Sequence, residues 1–144
     1  MLASGYLFTV LIANPHALTF PGAFTPTGLI GASWQSATWL LFFSHFVSPA
    51  VLLAYARLKD VDRANPLRAS SARPAIGVSV AIVVAFVSAL TLVIIAGDQY
   101  LPAIMADRTN PVIAYFLMIN VSIIAVAVIA LVELWTRRRP VLDC

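Results

Sequence analysis

The sequence predicts an all-α fold, a polytopic transmembrane helix bundle of about four membrane segments with the first one truncated. Three observations predict it. Of 144 residues, 61% are hydrophobic and only 10% charged, where a soluble domain carries roughly 25% charge. No Asp, Glu, Lys or Arg precedes Arg57, and the runs 74–97 and 111–132 are also free of charge. Runs of this kind are long enough to cross a bilayer, since about 20 helical residues span roughly 30 Å of hydrocarbon. A water-soluble globule and a polar disordered chain are both excluded.

The elements follow in order, all within one domain over 1–144. The uncharged N-terminal run is interrupted by Pro15, Pro21, Pro26, Gly22, Gly28 and Gly31, so it reads as helix, irregular stretch, helix. Segment one covers about 2–13 and segment two about 37–56. Segment three covers 74–97 and segment four 111–132. Val and Ile are frequent in the last two, yet a lone strand in lipid would leave its backbone groups unpaired, and helix satisfies them. Pro74 follows Ser70-Ser71 and Pro111 follows Asn110, which predicts helix starts with proline in the first turn and a polar cap before it. Segment one is only about 18 Å long at 1.5 Å per residue. It therefore reads either as a helix entered part-way or as one that continues through Pro15; the first reading is preferred, with the chain as a fragment of a larger membrane domain.

Basic residues set the expected orientation. Arg57, Lys59, Arg63, Arg68 and Arg73 lie between segments two and three, and Arg137, Arg138 and Arg139 follow segment four. Only Arg108 lies between segments three and four. Cytoplasmic loops carry the Lys/Arg excess. Loop 57–73 and the C-terminus are expected inside, with 14–36 and 98–110 outside. Trp34, Trp39, Tyr100 and Tyr115 then fall near outer ends, and Tyr55 and Trp135 near inner ends, as an interfacial aromatic belt requires.

Polar groups inside spans mark candidate sites. His45 lies about 12 Å below the outer end of segment two and shares a helical face with Gln35, Thr38 and Ser48. Pro49 cannot bond the His45 carbonyl, so a kink and a freed acceptor are expected there. Intramembrane ionisable groups usually face the bundle interior, and His45 is expected to do so. Asn120, Ser88 and Thr91 lie at similar depth and would share a layer with His45 if their helices were neighbours. Interhelical packing is the plainer role for Asn120. Ala81, Ala85 and Ala89 form a small-residue stripe suited to close helix approach. Asp98 and Asp107 read as solvated loop ends. The connector 14–36 is uncharged, with His16, Thr19, Thr25, Thr27 and Gln35 among Phe20, Phe24, Leu29 and Ile30. Such a connector dips into the bilayer or covers the bundle, as a lid or as an ordinary interfacial loop.

No catalytic constellation, phosphate loop or zinc motif is present in the sequence, so no enzyme activity is expected. The single cysteine, Cys144, allows no intrachain disulfide. Two histidines, His16 and His45, without a carboxylate or cysteine partner are a thin basis for haem or metal, and no cofactor is expected. The basic loop suits topology and anionic lipid rather than nucleic acid.

The run LASGYLFTVLIANPHALTFPGAF (residues 2–24) carries a resemblance. With it go Pro26-Thr27-Gly28-Leu29, Trp39-Leu40, His45, Pro49, Tyr55-Ala56 and Leu58-Lys59-Asp60, and the tail Val141-Leu142-Asp143. Together they resemble the membrane-associated sensor domain of the MASE class, fourth type. The resemblance implies a bacterial inner-membrane, multi-pass sensory input module, continued in longer relatives by a cytoplasmic histidine kinase or diguanylate cyclase output domain. Candidate sensing residues are His16, Phe20, Phe24, Trp39, His45, Pro49 and Asn120. Expected partners are the lipid bilayer and that output domain, with a homo-oligomer left open. The alternative is a small transporter or channel-like subunit, favoured by the Pro-broken helices and the mid-membrane polar groups.

Overall fold

The computed structural model describes residues 2–26, 28–30, 33–64, 69–107 and 109–137. Thr27, Gly31, Arg68, Arg108, Arg138, Arg139, Val141, Leu142, Asp143 and Cys144, singled out above, lie outside the described residues. The described chain forms four α-helices: α1 (Leu2–Thr19), α2 (Trp34–Ala64), α3 (Ala69–Ala96) and α4 (Ile113–Thr136), with a short 3-10 turn at Asp98–Tyr100. Among the described residues three stretches are long and apolar enough to cross a membrane: Trp34–Leu58, Arg73–Ala96 and Ile113–Thr136.

The first helix differs from expectation. It does not stop near residue 13 but runs through Pro15 to Thr19. Pro15 has no N–H for the Leu11 carbonyl. The Asn14 carboxamide takes over that role, donating from Nδ2 to Val10 O (3.1 Å) and to Leu11 O (3.5 Å). A side chain thus covers the acceptors that the proline exposes, and the helix continues. At about 27 Å it is nearly span length, with Asn14, Pro15 and His16 as polar residues in its C-terminal third.

Two other expectations are corrected. The stretch 57–73 is mostly helix rather than loop, because α2 runs on to Ala64 and α3 already begins at Ala69. Pro74 is therefore inside α3 rather than at its start. Asn110 does not cap α4 either. Val112 occupies that position without a side-chain bond, and Asn110 folds back on Asp107.

Helix α2 is the centre of the bundle. It packs along α1 on one side and α4 on the other, and α3 lies mainly against α1. Helices α1 and α2 are antiparallel. Thr9 Oγ1 meets Ser48 Oγ at 3.4 Å, and the His16 imidazole meets the Ala37 carbonyl. The contact is tight at Gly5, where a Cβ would stand 2.7 Å from Val51 Cγ1. Helix α4 runs parallel to α2, with Phe42 against Phe116 (5.9 Å) near one end and Arg57 beside Glu133 at the other. Phe8, Ile12, Leu40, Val87 and Ile94 form the core, so α1, α2 and α3 close on one another. Helix α4 is held on one side only, and its Ile113, Leu117, Val121, Ile124 and Leu131 face outward.

Candidate functional site

The polar groups of the bundle gather at one end, where α1 stops and α2 starts. Ser33 precedes α2 and caps it. Its Oγ accepts from the Gln35 N–H (3.0 Å) and the Ser36 N–H (3.3 Å) and donates to Asp98 Oδ1 (2.6 Å). The fully buried Ser36 hydroxyl donates to the same carboxylate oxygen at 2.6 Å. Asp98 thus stands at the N-terminus of α2, where the peptide dipoles favour negative charge. It is not the solvated loop end expected from sequence. It joins the start of α2 to the end of α3.

Gln35 grips the α3–α4 connector with its whole carboxamide. Oε1 accepts from the Ile104 N–H (2.9 Å) and the Met105 N–H (3.2 Å), and Nε2 donates to Met105 O (2.6 Å). One residue therefore satisfies three backbone groups that the short connector cannot pair internally. Trp39 adds a fourth attachment, Nε1–H to Pro102 O at 3.3 Å. Ile104 is fully buried under this clamp. Further out, Asp107 accepts from the Thr109 and Asn110 N–H groups and from the Asn110 carboxamide. These bonds hold its carboxyl at about 2, below the ordinary 3.8, led by the Asn110 side chain.

On the α1 side, His16 Nδ1 lies 3.0 Å from the Ala37 carbonyl. A carbonyl only accepts, so the proton sits on Nδ1 in this arrangement. The Phe20 ring meets the His16 ring at 6.0 Å and the Trp34 ring edge-on at 5.6 Å. The connector then turns back. Gly28 has φ +74, a conformation that disfavours any side chain, and the Leu29 N–H bonds Leu18 O at 2.9 Å. Phe24 stands outward on this loop. The Thr25 hydroxyl is buried without a hydrogen-bond partner among the described residues.

The structure thus brings His16 and Phe20 together with Trp34, and sets Trp39 in the same end of α2. Trp39 also lines an open groove of about 260 Å³ between α2 and α4, with Phe42, Phe43, Phe46 and Met118. His45 is placed elsewhere. It is exposed, and its Nδ1 bonds Leu41 O (2.9 Å) on its own helix. The expected inward histidine is therefore absent, because Ser48 and Val51 face α1 while Phe42 faces α4, leaving position 45 between them on the open side. Pro49 is buried within the unbroken α2. Asn120 donates to Phe116 O, four residues back, at 2.8 Å. Thr91 does likewise to Val87 O at 2.8 Å. The expected shared layer of His45, Ser88, Thr91 and Asn120 does not form, since α3 lies against α1. Ala81, Ala85 and Ala89 face outward too.

His16 and His45 do not converge. His16 bonds Ala37, about 12 Å of helix above His45. Among the described residues no group of three or more His, Cys, Asp or Glu is placed to hold a metal.

Sequence reasoning overlooked Ser33, Ser36 and Asp98 as a unit. Ser33 before an apolar run is a readable helix-start signal, but its pairing with a carboxylate more than sixty positions away leaves no local trace.

No curated protein and no solved structure matches this chain. A comparison with protein families matches residues 1–140 to MASE4, described as membrane-associated sensor, integral membrane domain. With nearly the whole chain covered and its helices apolar enough to span a bilayer, the chain belongs to the MASE4 family of membrane-associated sensor domains.

Proposed function

We propose that this domain is the input module of a bacterial inner-membrane signalling protein, non-catalytic itself, whose C-terminal end passes its state to a cytoplasmic histidine kinase or diguanylate cyclase. The observation that carries the reading is that α2 is attached at both ends to the hairpin formed by α3 and α4. At the outer end Ser33, Ser36, Gln35 and Trp39 hold the connector. At the inner end Glu133 of α4 bonds Arg57 of α2 (3.4 Å) and Arg137 (2.8 Å). A displacement of the first turn of α2 therefore has a continuous route to the last turn of α4. The excess of basic residues at 57–73 and 137–139 supports an inside location for that end.

The mechanism is a two-state shift. A stimulus at the outer end biases the equilibrium only through its different interaction with the two states. Pro49, which leaves the His45 carbonyl without its helical donor, is the point at which α2 yields most easily.

The test places Gln35→Ala and Glu133→Gln at the matching positions of a full-length homologue that carries its output domain. Both are expected to change basal or stimulated output several-fold. His45→Ala, which removes only bonds within α2 and its own turn, leaves output unchanged. Unaltered output in both Gln35→Ala and Glu133→Gln overturns the proposal.

A further inference from the structure

The outer connector presents large apolar side chains away from the protein. Phe24 is 63% exposed, Leu29 55%, Ile30 44% and Phe20 43%. The loop has no charged residue, and none precedes Arg57 in the chain. Monomeric protein surfaces in water rarely leave so contiguous an apolar patch uncovered. A docking patch for a soluble protein is ordinarily rimmed by polar and charged groups, and this loop supplies no charge.

The patch also stands at the end of helices whose outward side chains are apolar. Both feet of the loop stand at the outer end of the bundle, at Thr19 of α1 and Trp34 of α2. Farther along, beyond the exposed Asn14, Tyr6 and Val10 of α1 and Leu41 of α2 are outward as well. In an integral membrane domain, an apolar patch at the end of such helices lies at the boundary between headgroups and acyl chains. Phe and Leu side chains on a loop at that level insert there.

The loop is built to transmit what it contacts. It is closed by the Gly22 N–H to Thr25 O bond at 2.8 Å, the Gly28 turn, and the Leu29 N–H to Leu18 O bond. It therefore moves as a unit with the end of α1. The Phe20 ring contacts Trp34, the first residue of α2. The next two residues of α2, Gln35 and Ser36, hold the 104–105 backbone and Asp98.

We propose that the side chains of Phe20, Phe24, Leu29 and Ile30 insert into the outer leaflet and that the domain senses the packing of its acyl chains. This rests on the sensory reading above and specifies its stimulus. Loosely packed lipid admits the four side chains deeply, and tightly packed lipid expels them. The difference in buried apolar surface biases the position of α2. With no charge on the loop, the response follows chain saturation and is insensitive to anionic lipid content and to salt.

The experiment uses the full chain in phosphatidylcholine vesicles, with Cys144→Ser and a spin label on Phe24→Cys. Collisions with oxygen are expected to exceed those with a water-soluble nickel chelate several-fold, more so in unsaturated than in saturated lipid. Greater nickel collision puts the loop in water and overturns the inference, while the sensory reading stands on its own test. The second arm carries Phe24→Ser with Leu29→Ser at matching positions of a full-length homologue with its output domain. The change in output between saturated and unsaturated vesicles is expected to fall several-fold, with melting temperature retained because both side chains are exposed. An undiminished response to saturation, or none in the parent protein, overturns it. So does a response that follows anionic lipid.

Discussion

Gln35 does the most with the fewest atoms. Its carboxamide pairs with two N–H groups and one carbonyl of the α3–α4 connector. Replacing one partner leaves the others desolvated and unmade, which costs about 1–3 kcal/mol in a buried setting. Gln35→Leu is expected to lose stability by that amount, read as a lower melting temperature in detergent. Gln35→Glu keeps the acceptor for Ile104 and Met105 but sets a carboxylate oxygen against the Met105 carbonyl, so it is expected to lose less only when protonated, at low pH. Differential scanning fluorimetry against pH reads this, and a difference between the two variants that does not change with pH would mean that the clamp contributes no specific bonds. Asp107 makes a different prediction. Its carboxyl lies at about 2 in the folded loop against the ordinary 3.8, because the Asn110 side chain and the Thr109 and Asn110 N–H groups favour the charged form. A depressed folded value stabilises the turn fully above the unfolded value, and that contribution is lost as pH falls through the folded one. The 107–110 turn is therefore expected to persist at pH 4 and loosen near pH 2. A carboxyl carbon titration by NMR reads this directly, and a midpoint near 3.8 would show the bonds absent in solution.

At the scale of elements, helix pairs in lipid gain nothing from excluding water, so close backbone packing decides which helices meet. Helices α1 and α2 meet at Gly5, where even a methyl group would intrude on Val51. Gly5→Ala is expected to destabilise the pair by about 1–3 kcal/mol, the range for overpacking a tight contact. Gly5→Ala with Val51→Ala should recover most of the loss, and additive losses in thermal melts would place the contact elsewhere. By contrast Gly77 of α3 has nothing within 4 Å of its missing Cβ, and Ala81, Ala85 and Ala89 face outward. The small-residue pattern was singled out in α3, but the tight contact is at Gly5, which with Thr9 four residues on makes a shorter small-residue spacing on the face of α1 that meets α2. Segment one was also misjudged at this scale. Proline spacing argues for a stop at Pro15, and only the Asn14 carboxamide on the Leu11 carbonyl explains why the helix continues.

For the molecule as a whole, alternation of the helices follows from the chain order and agrees with the packing. Helix α1 runs parallel to α3, with Phe8 against Phe86 and Asn14 and Pro15 beside Ser88 and Thr91, and α2 runs parallel to α4, with Phe42 against Phe116 and Arg57 beside Glu133. The proposed orientation predicts opposite accessibility at two exposed positions. With Cys144→Ser, a cysteine at Tyr100 should react with a membrane-impermeant maleimide on intact cells. One at Leu58 should react only after permeabilisation. The reverse pattern would invert the topology and with it the route from the outer connector to the output domain.

Apolar run length, backbone self-satisfaction in lipid and the distribution of basic residues are properties of the chain itself, so the all-α membrane bundle was determined by sequence alone. So was the uncharged aromatic connector with Phe20, Phe24 and His16. Which side chains face one another was decided by tertiary structure. Asp98 meets Ser33 and Ser36, and Gln35 meets Ile104 and Met105, across more than sixty residues of chain. His45 looked inward by its chemistry, yet α1 and α4 settle on either side of it and leave it exposed. A helix presents every side chain somewhere around its circumference. Only its neighbours determine which of those directions is the inside.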